Sequence, residues 1–307
     1  MKPCTSAAAS AITVLAVALT ATACSGEPEK TEDRPTRSSN YGYRPPLPVY
    51  KVAQDVTFDS PTLRKAQKAG KLVIGVKNDQ PFLGFQDADG KRSGFDIEIA
   101  KMIAADLGFP TGMIEFKTID TSGREASIAA GDVDLYVGTY TINDERKKKV
   151  GFAGPYFMAG VDLLVRKDDR TIGGPYSLEG KTVCSVKGST ALGEIKKADY
   201  NTTTVEALKY SECVRQLLGG GVDAVTTDDA ILMGYAAQSP DKLKVVGNPF
   251  TEEPYGVGMN KDDEALRDAV SDAIEAHDEN GDHEKAYNAT LGLSGSKFDG
   301  TPLVQRY

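Results

Sequence analysis

Short apolar runs behind Gly-Lys turns recur along the chain. Gly70-Lys71-Leu72-Val73-Ile74-Gly75-Val76 returns as Gly180-Lys181-Thr182-Val183-Cys184-Ser185-Val186, and each predicts a β-strand. Further on, Gly131-Asp132-Val133-Asp134-Leu135 is echoed by Gly221-Val222-Asp223-Ala224-Val225, each behind an apolar helix-like stretch. Two similarly built α/β lobes account for this repetition. Between the echoes, Phe95, Ile99, Met102 and Ile103 recur at helical spacing and predict an amphipathic helix from Gly94 that Gly108 closes. Tyr210 to Leu218 predicts the comparable helix of the second unit, before the Gly219-Gly220-Gly221 break. Val161 to Val165 and Tyr255 to Met259 are extended stretches that suit two hinge strands. Leu266, Val270, Ala273 and Ile274 lie on one face of terminal helices within Asp262 to Asn288. The expected division is lobe one at 60–163 plus 256–307 and lobe two at 164–255, with a cleft between them.

The first residues follow another pattern. Lys2, an apolar stretch from Ala7 to Leu19 and small residues after it describe a secretory signal over 1–23, too short to span a membrane. The sequence Ala21-Thr22-Ala23-Cys24-Ser25-Gly26 resembles a bacterial lipobox, with Ala21 where the pattern prefers Leu. It implies that Cys24 becomes a lipidated, palmitate-bearing first residue; an ordinary secreted chain is the alternative. Residues 24–59, rich in Pro, Ser, Arg, Glu and Asp, read as a disordered tether to that anchor, with Tyr41, Tyr43 and Tyr50 free to dock or not.

Composition narrows the function. A chain of 307 residues holds one large or two medium domains. Its net charge of −8 and its pI near 5.0 argue against a nucleic-acid partner. His277 and His283 make no metal-ligand spacing with a Cys or carboxylate and read as surface residues of the last helices. No Ser/His/Asp set, nucleophile elbow or P-loop is present, so the expectation is a binding protein without metal, cofactor or catalytic residue. Cys4 leaves with the signal and Cys24 carries lipid. In an exported protein the remaining pair, Cys184 and Cys213, reads as a disulfide, with two buried thiols as the alternative.

One stretch carries candidate chemistry. Leu135-Tyr136-Val137-Gly138 is a short apolar run, so Thr139 and Thr141 emerge at a strand end, and Asp144-Glu145-Arg146 begins a charged helix after Asn143. Hydroxyls, free backbone N–H groups and a guanidinium there suit an anion, for which we take the α-carboxylate of an amino acid.

Gly94-Phe95-Asp96-Ile97-Glu98-Ile99, Thr141-Ile142-Asn143-Asp144-Glu145-Arg146, Phe152-Ala153-Gly154-Pro155-Tyr156-Phe157 and Asp223-Ala224-Val225-Thr226-Thr227-Asp228 occur in this order. They resemble the family-3 extracellular solute-binding proteins of polar amino-acid ABC importers. Lys77-Asn78-Asp79-Gln80-Pro81 and Thr121-Ser122-Gly123-Arg124 bring the chain nearest to the glutamate-binding lipoproteins of that family. The resemblance implies a two-lobe, periplasmic-binding-protein-like α/β fold and a monomer anchored on the extracytoplasmic face of the cell membrane. Its partners are then a free amino acid and the permease subunits of an importer. It implies that Arg146, with Thr141 and Thr190, takes the α-carboxylate, and that Asp228, with Thr139 and Thr141, takes the ammonium. Asp229 reads as a helix cap beside it. Arg124, Lys77 and Thr121 then read an acidic side chain, glutamate or aspartate, while Phe82 covers the aliphatic stem. Glutamine or asparagine binding and an amino-acid sensor are the alternatives; a dehydratase on the same fold is a remote one.

Overall fold

The computed structural model describes residues 44–197, 200–296 and 298–307; the signal, Cys24 and the tether up to residue 43 lie outside them. Lobe one begins with α1 (Pro61–Ala69) and β1 (Leu72–Val76), and continues through a meander of β2 (Asp79–Gln80), β3 (Gly84–Gln86) and β4 (Arg92–Ser93). Then come α2 (Phe95–Asp106), β5 (Ile114–Thr118), α3 (Arg124–Ala129), β6 (Leu135–Tyr136), the single turn α4 (Asp144–Lys147) and β7 (Gly151–Ala159). Lobe two holds β8 (Val161–Arg166), β9 (Thr182–Val186), α5 (Thr190–Lys197), β10 (Thr203–Ala207), α6 (Tyr210–Leu218), β11 (Ala224–Asp228), α7 (Asp229–Gln238) and β12 (Leu243–Val245). The chain returns through β13 (Glu253–Met259) and ends in α8 (Glu264–Glu279) and α9 (Asp282–Ala289).

Each lobe is built on a mixed five-stranded sheet, ordered β5-β1-β6-β13-β7 in lobe one and β10-β9-β11-β8-β12 in lobe two. In each sheet the first three strands are parallel, the fourth, β13 or β8, runs antiparallel to them, and the edge strand, β7 or β12, is antiparallel to the fourth, a two-lobe periplasmic-binding-protein fold. Pairing passes from one sheet to the other at Gly160, because Val161 already pairs with Asp228; it passes back before Glu253, which pairs with Ala159. Both changeovers fall a few residues earlier than the expected 163/164 and 255/256.

The echoed motifs do equivalent work. The Asp134 N–H donates to the Val73 carbonyl at 2.8 Å while its carboxylate accepts the Val73 N–H at 2.9 Å. Asp223 clasps Thr182 in the same way, at 2.8 Å for both bonds. Each aspartate thereby fixes the entry of a central strand, and the strand that follows delivers its far end to the cleft.

Two expectations are corrected. Residues 44–59 are not free: Tyr50, Val56 and Phe58 pack against the core, the Ala53 N–H donates to the Ala105 carbonyl at 2.9 Å, and Tyr50 donates to Glu98 at 3.2 Å. That cover, with α8 and α9, explains why α2 is buried nearly all round instead of along one stripe. The second correction concerns the histidines, which are buried. His283 is fully enclosed, with Nε2 at 2.8 Å from the Tyr156 carbonyl and Nδ1 at 3.0 Å from the Thr301 hydroxyl. Donation to a carbonyl requires the Nε2–H tautomer, and burial pushes this imidazole down to about 4, so it is neutral. His277 lies between Asp106 and Asp282 at 3.2 and 3.4 Å; burial disfavours its charge, the two carboxylates outweigh that, and its pKa is raised. Helical periodicity could not anticipate this, since Tyr50, Asp106 and Asp282 surround the His277 ring while Phe298 and Thr301 close over that of His283.

Candidate functional site

The strand ends of the two sheets meet at a small, nearly filled cavity. Seven of its lining residues were expected from sequence: Thr121, Arg124, Thr139, Thr141, Arg146, Thr190 and Asp228. Ser189, Tyr210 and Ile231 join them.

Lobe one contributes the cations. Asn143 caps α4 by accepting the Arg146 N–H at 2.9 Å, and Arg146 is thereby turned inward, 8 % exposed. Its Nη1 donates to the Thr141 carbonyl at 2.7 Å and its Nε stands 3.6 Å from Glu125. Arg124, at the start of α3, is 2 % exposed and donates from Nε to the Thr121 carbonyl at 2.8 Å. Both guanidiniums lie against the Tyr140 ring, at 4.4 and 5.1 Å from its centroid, and both donate across the cleft to the Gly188 carbonyl, at 3.2 and 3.3 Å. Burial, and after it the neighbouring Arg124, push Arg146 down to about 10. Tyr140 escaped notice in the sequence because a buried aromatic between two threonines reads as core.

The Thr139 backbone is held in the left-handed region, φ 46°, which a β-branched residue rarely adopts. Asp96 secures it by accepting the Thr139 N–H at 3.1 Å and the Tyr156 hydroxyl at 2.7 Å, while the Thr139 hydroxyl meets the Gln80 carboxamide. Burial pushes Asp96 up to about 6. Thr141 bridges Tyr255 of β13, and the flanking bonds from Ile142 N–H to Pro254 and from Gly256 N–H to Tyr140 turn its own peptide groups away from that strand.

Lobe two contributes the anion. Asp228 ends β11 and caps nothing; its Oδ2 accepts the Tyr255 hydroxyl at 2.6 Å. Burial first, then the nearby Glu253, push Asp228 up to about 7. Its neighbour Asp229 accepts the Gly160 and Ala230 amides, which leaves Asp228 as the cavity carboxylate. Glu253 is buried in the hinge and accepts hydroxyls from Thr190 at 2.8 Å and Thr251 at 2.9 Å.

Two expected residues do not line the cavity. Lys77 occupies an adjoining cavity and donates to the Thr121 hydroxyl at 2.7 Å and to the Ile119 carbonyl at 3.2 Å; burial and then Arg124 push its pKa down to about 7. It touches the site through Thr121. Phe82 packs against the core instead, because its carbonyl accepts the Phe95 N–H at 2.8 Å and ties it to the start of α2. Ile231 is the apolar side chain of the lining. The expected disulfide joins Cys184 of β9 to Cys213 of α6, with Cα atoms 5.4 Å apart.

A closed, polar, charge-bearing cavity between two α/β lobes defines a solute-capturing cleft. The sequence model of the bacterial extracellular solute-binding proteins, family 3, matches residues 72–292, and the chain belongs to that family. It is 38% identical over 251 residues to the glutamate-binding protein GluB of Corynebacterium efficiens, covering 78% of this chain and 85% of that one. It is 40% identical over 202 residues to a glutamine-binding protein of Geobacillus stearothermophilus, covering 66% of this chain and 77% of the relative. An ancestral arginine-binding protein solved with arginine bound superposes with a TM-score of 0.67 at 37% identity, covering 71% of this chain and 96% of that one.

Proposed function

We propose that the chain captures an acidic amino acid, L-glutamate or L-aspartate, between its lobes and delivers it to the permease subunits of an ABC importer. In this reading it works as a monomer on the extracytoplasmic face of the membrane, held there by lipid on Cys24. The observation that carries the ligand class is the pair of buried guanidiniums sharing one ring and one carbonyl, opposite Asp228 of the other lobe, the carboxylate of the cavity lining. A solute with two carboxylates and one ammonium neutralises all three, and buried charges need such pairing.

Arg146 and the Thr141 N–H take the α-carboxylate. Thr190 gives its hydroxyl proton to Glu253, so its contribution is the N–H at the start of α5. Asp228 and the Thr139 and Thr141 oxygens take the ammonium. Arg124 reads the distal carboxylate, with Thr121 oriented by Lys77 beside it, and Ile231 covers the stem. Kinship with glutamate-binding GluB supports the same class. A neutral carboxamide is the second reading, favoured by the two donors Arg124 already commits to carbonyls and by the glutamine-binding relative.

A thermal-shift panel of the twenty amino acids on residues 25–307 tests this, since a tight solute raises the melting temperature by mass action. L-Glutamate is expected to stabilise most. Calorimetry on Arg124→Ala should then show glutamate affinity falling about tenfold or more relative to glutamine. An unchanged ratio would remove the distal-carboxylate assignment, and stronger stabilisation by L-glutamine would decide for the second reading.

A further inference from the structure

Beyond the lining of the cavity, a carboxylate of lobe one reaches the end of a lobe-two helix. Asp79 in β2 accepts the Ser211 N–H through Oδ2 at 3.1 Å, and Tyr235 of α7 donates its hydroxyl to the Asp79 carbonyl. Next to it Lys209 donates to Asn78 at 3.3 Å. Ser211 is the second residue of α6, where an N–H has no partner within the helix. Lys209 precedes the helix with extended backbone, φ −133° and ψ 146°, but its ammonium cannot accept a bond, and no side-chain cap forms there. An oxygen acceptor at this end satisfies the orphan N–H, and a negative one also suits the helix dipole. The cap of α6 therefore comes from the opposite lobe. The same helix starts with Tyr210, which lines the cavity, and Cys213 ties it to β9.

We propose that Asp79 is a positioning residue for closure, which caps α6 only when the lobes are together. Part of the affinity for the solute then resides in a helix cap that touches no solute. The inference rests on the reading of the cleft as a solute trap given above. It makes Asp79 a determinant of how long the cleft stays shut, separate from Arg124, Arg146 and Asp228, which meet the solute itself.

The test is a double-mutant cycle with L-glutamate, followed by calorimetry and stopped-flow dissociation. Asp79→Ala should weaken binding about fivefold, chiefly through faster dissociation, as expected for loss of one helix cap. It should leave the melting temperature of solute-free protein unchanged, because the cap is absent when the lobes part. Lys209→Ser supplies a cap within lobe two: serine at that position, three residues before Glu212, makes a capping box, and Glu212 already accepts the Leu208 N–H at 3.2 Å. In that background Asp79→Ala should change affinity by less than about twofold. An equal loss in both backgrounds, or no change in affinity and dissociation in either, overturns the cap. Should L-glutamate fail to stabilise the wild type, the ligand assignment is wrong, and the cycle is run with the amino acid that the panel of twenty identifies. A panel in which none binds overturns the functional reading itself.

Discussion

Thr139 and Asp228 stand at the same step of two copies of one design, and they do opposite things. Each lies five residues beyond the aspartate that clasps a central strand, Asp134 in lobe one and Asp223 in lobe two. Beyond β6 the chain turns through Tyr140 to Asn143 before α4, room enough to bring in Arg146 and to hold two guanidiniums on one ring. Beyond β11 it passes directly into α7, so the strand end itself must carry the charge, and Asp228 does. A repeated scaffold thus presents a cationic face and an anionic one. The difference lies in the length of the connection that follows the strand.

That contrast can be broken most severely from the cationic side. Arg146→Ala should remove about 3 to 5 kcal/mol of glutamate binding, because it strips the buried cation from the α-carboxylate, and calorimetry would register this as loss of measurable heat at micromolar protein. If binding survives within tenfold, lobe one does not hold the carboxylate. A second difference is covalent: lobe two ties its strand β9 to its helix α6 across a sequence separation of 29. Replacing Cys184 and Cys213 by serine should cost about 3 to 4 kcal/mol by the loop-closure argument, seen as a lower denaturation midpoint. Hydrogen exchange should quicken in lobe two and leave lobe one protected. Uniform loss of protection would mean that the lobes do not unfold separately.

The smallest effect sharpens the anionic side. Burial and Glu253 raise Asp228 from an ordinary 3.8 to about 7, so its proton favours the closed, solute-free protein. That contribution to stability is complete below about pH 4 and is lost as the pH rises through about 7. Holding an ammonium requires the carboxylate, so affinity for glutamate should climb between about pH 5 and pH 7, by no more than tenfold per unit, and level off above. Asp228→Asn should flatten the rise; a slope that persists in this variant would assign it to another group.

Much of the scaffold was legible in sequence because the aspartate clasps and the Gly-Lys turns are local devices, repeated at recognisable spacing. Arg146, Thr141 and Asp228 were legible because each belongs to a contiguous motif. Tyr210, Ser189 and Ile231 were not, since none belongs to a polar motif of its own and each reaches the cavity only when α5, α6 and α7 converge on the strand ends of the other lobe. The misreading of Phe82 arose where backbone tethering to α2 outweighed the attraction of an aromatic for a cleft. Residues 44–59 looked disordered by composition. Yet Tyr50, Val56 and Phe58 suffice to hold a polar segment once a neighbouring helix offers an apolar face.

Two glycines in lobe two set a mechanical limit. A methyl at Gly188, whose φ is +82°, would stand 3.0 Å from the Ser122 Cα, and one at Gly234 would stand 2.4 Å from the Pro81 carbonyl. The lobes therefore come to rest backbone against backbone at both places, and no rotamer change can let them travel further or cushion the stop. A side chain added at either position would therefore meet main chain of the facing lobe instead of a flexible group able to yield.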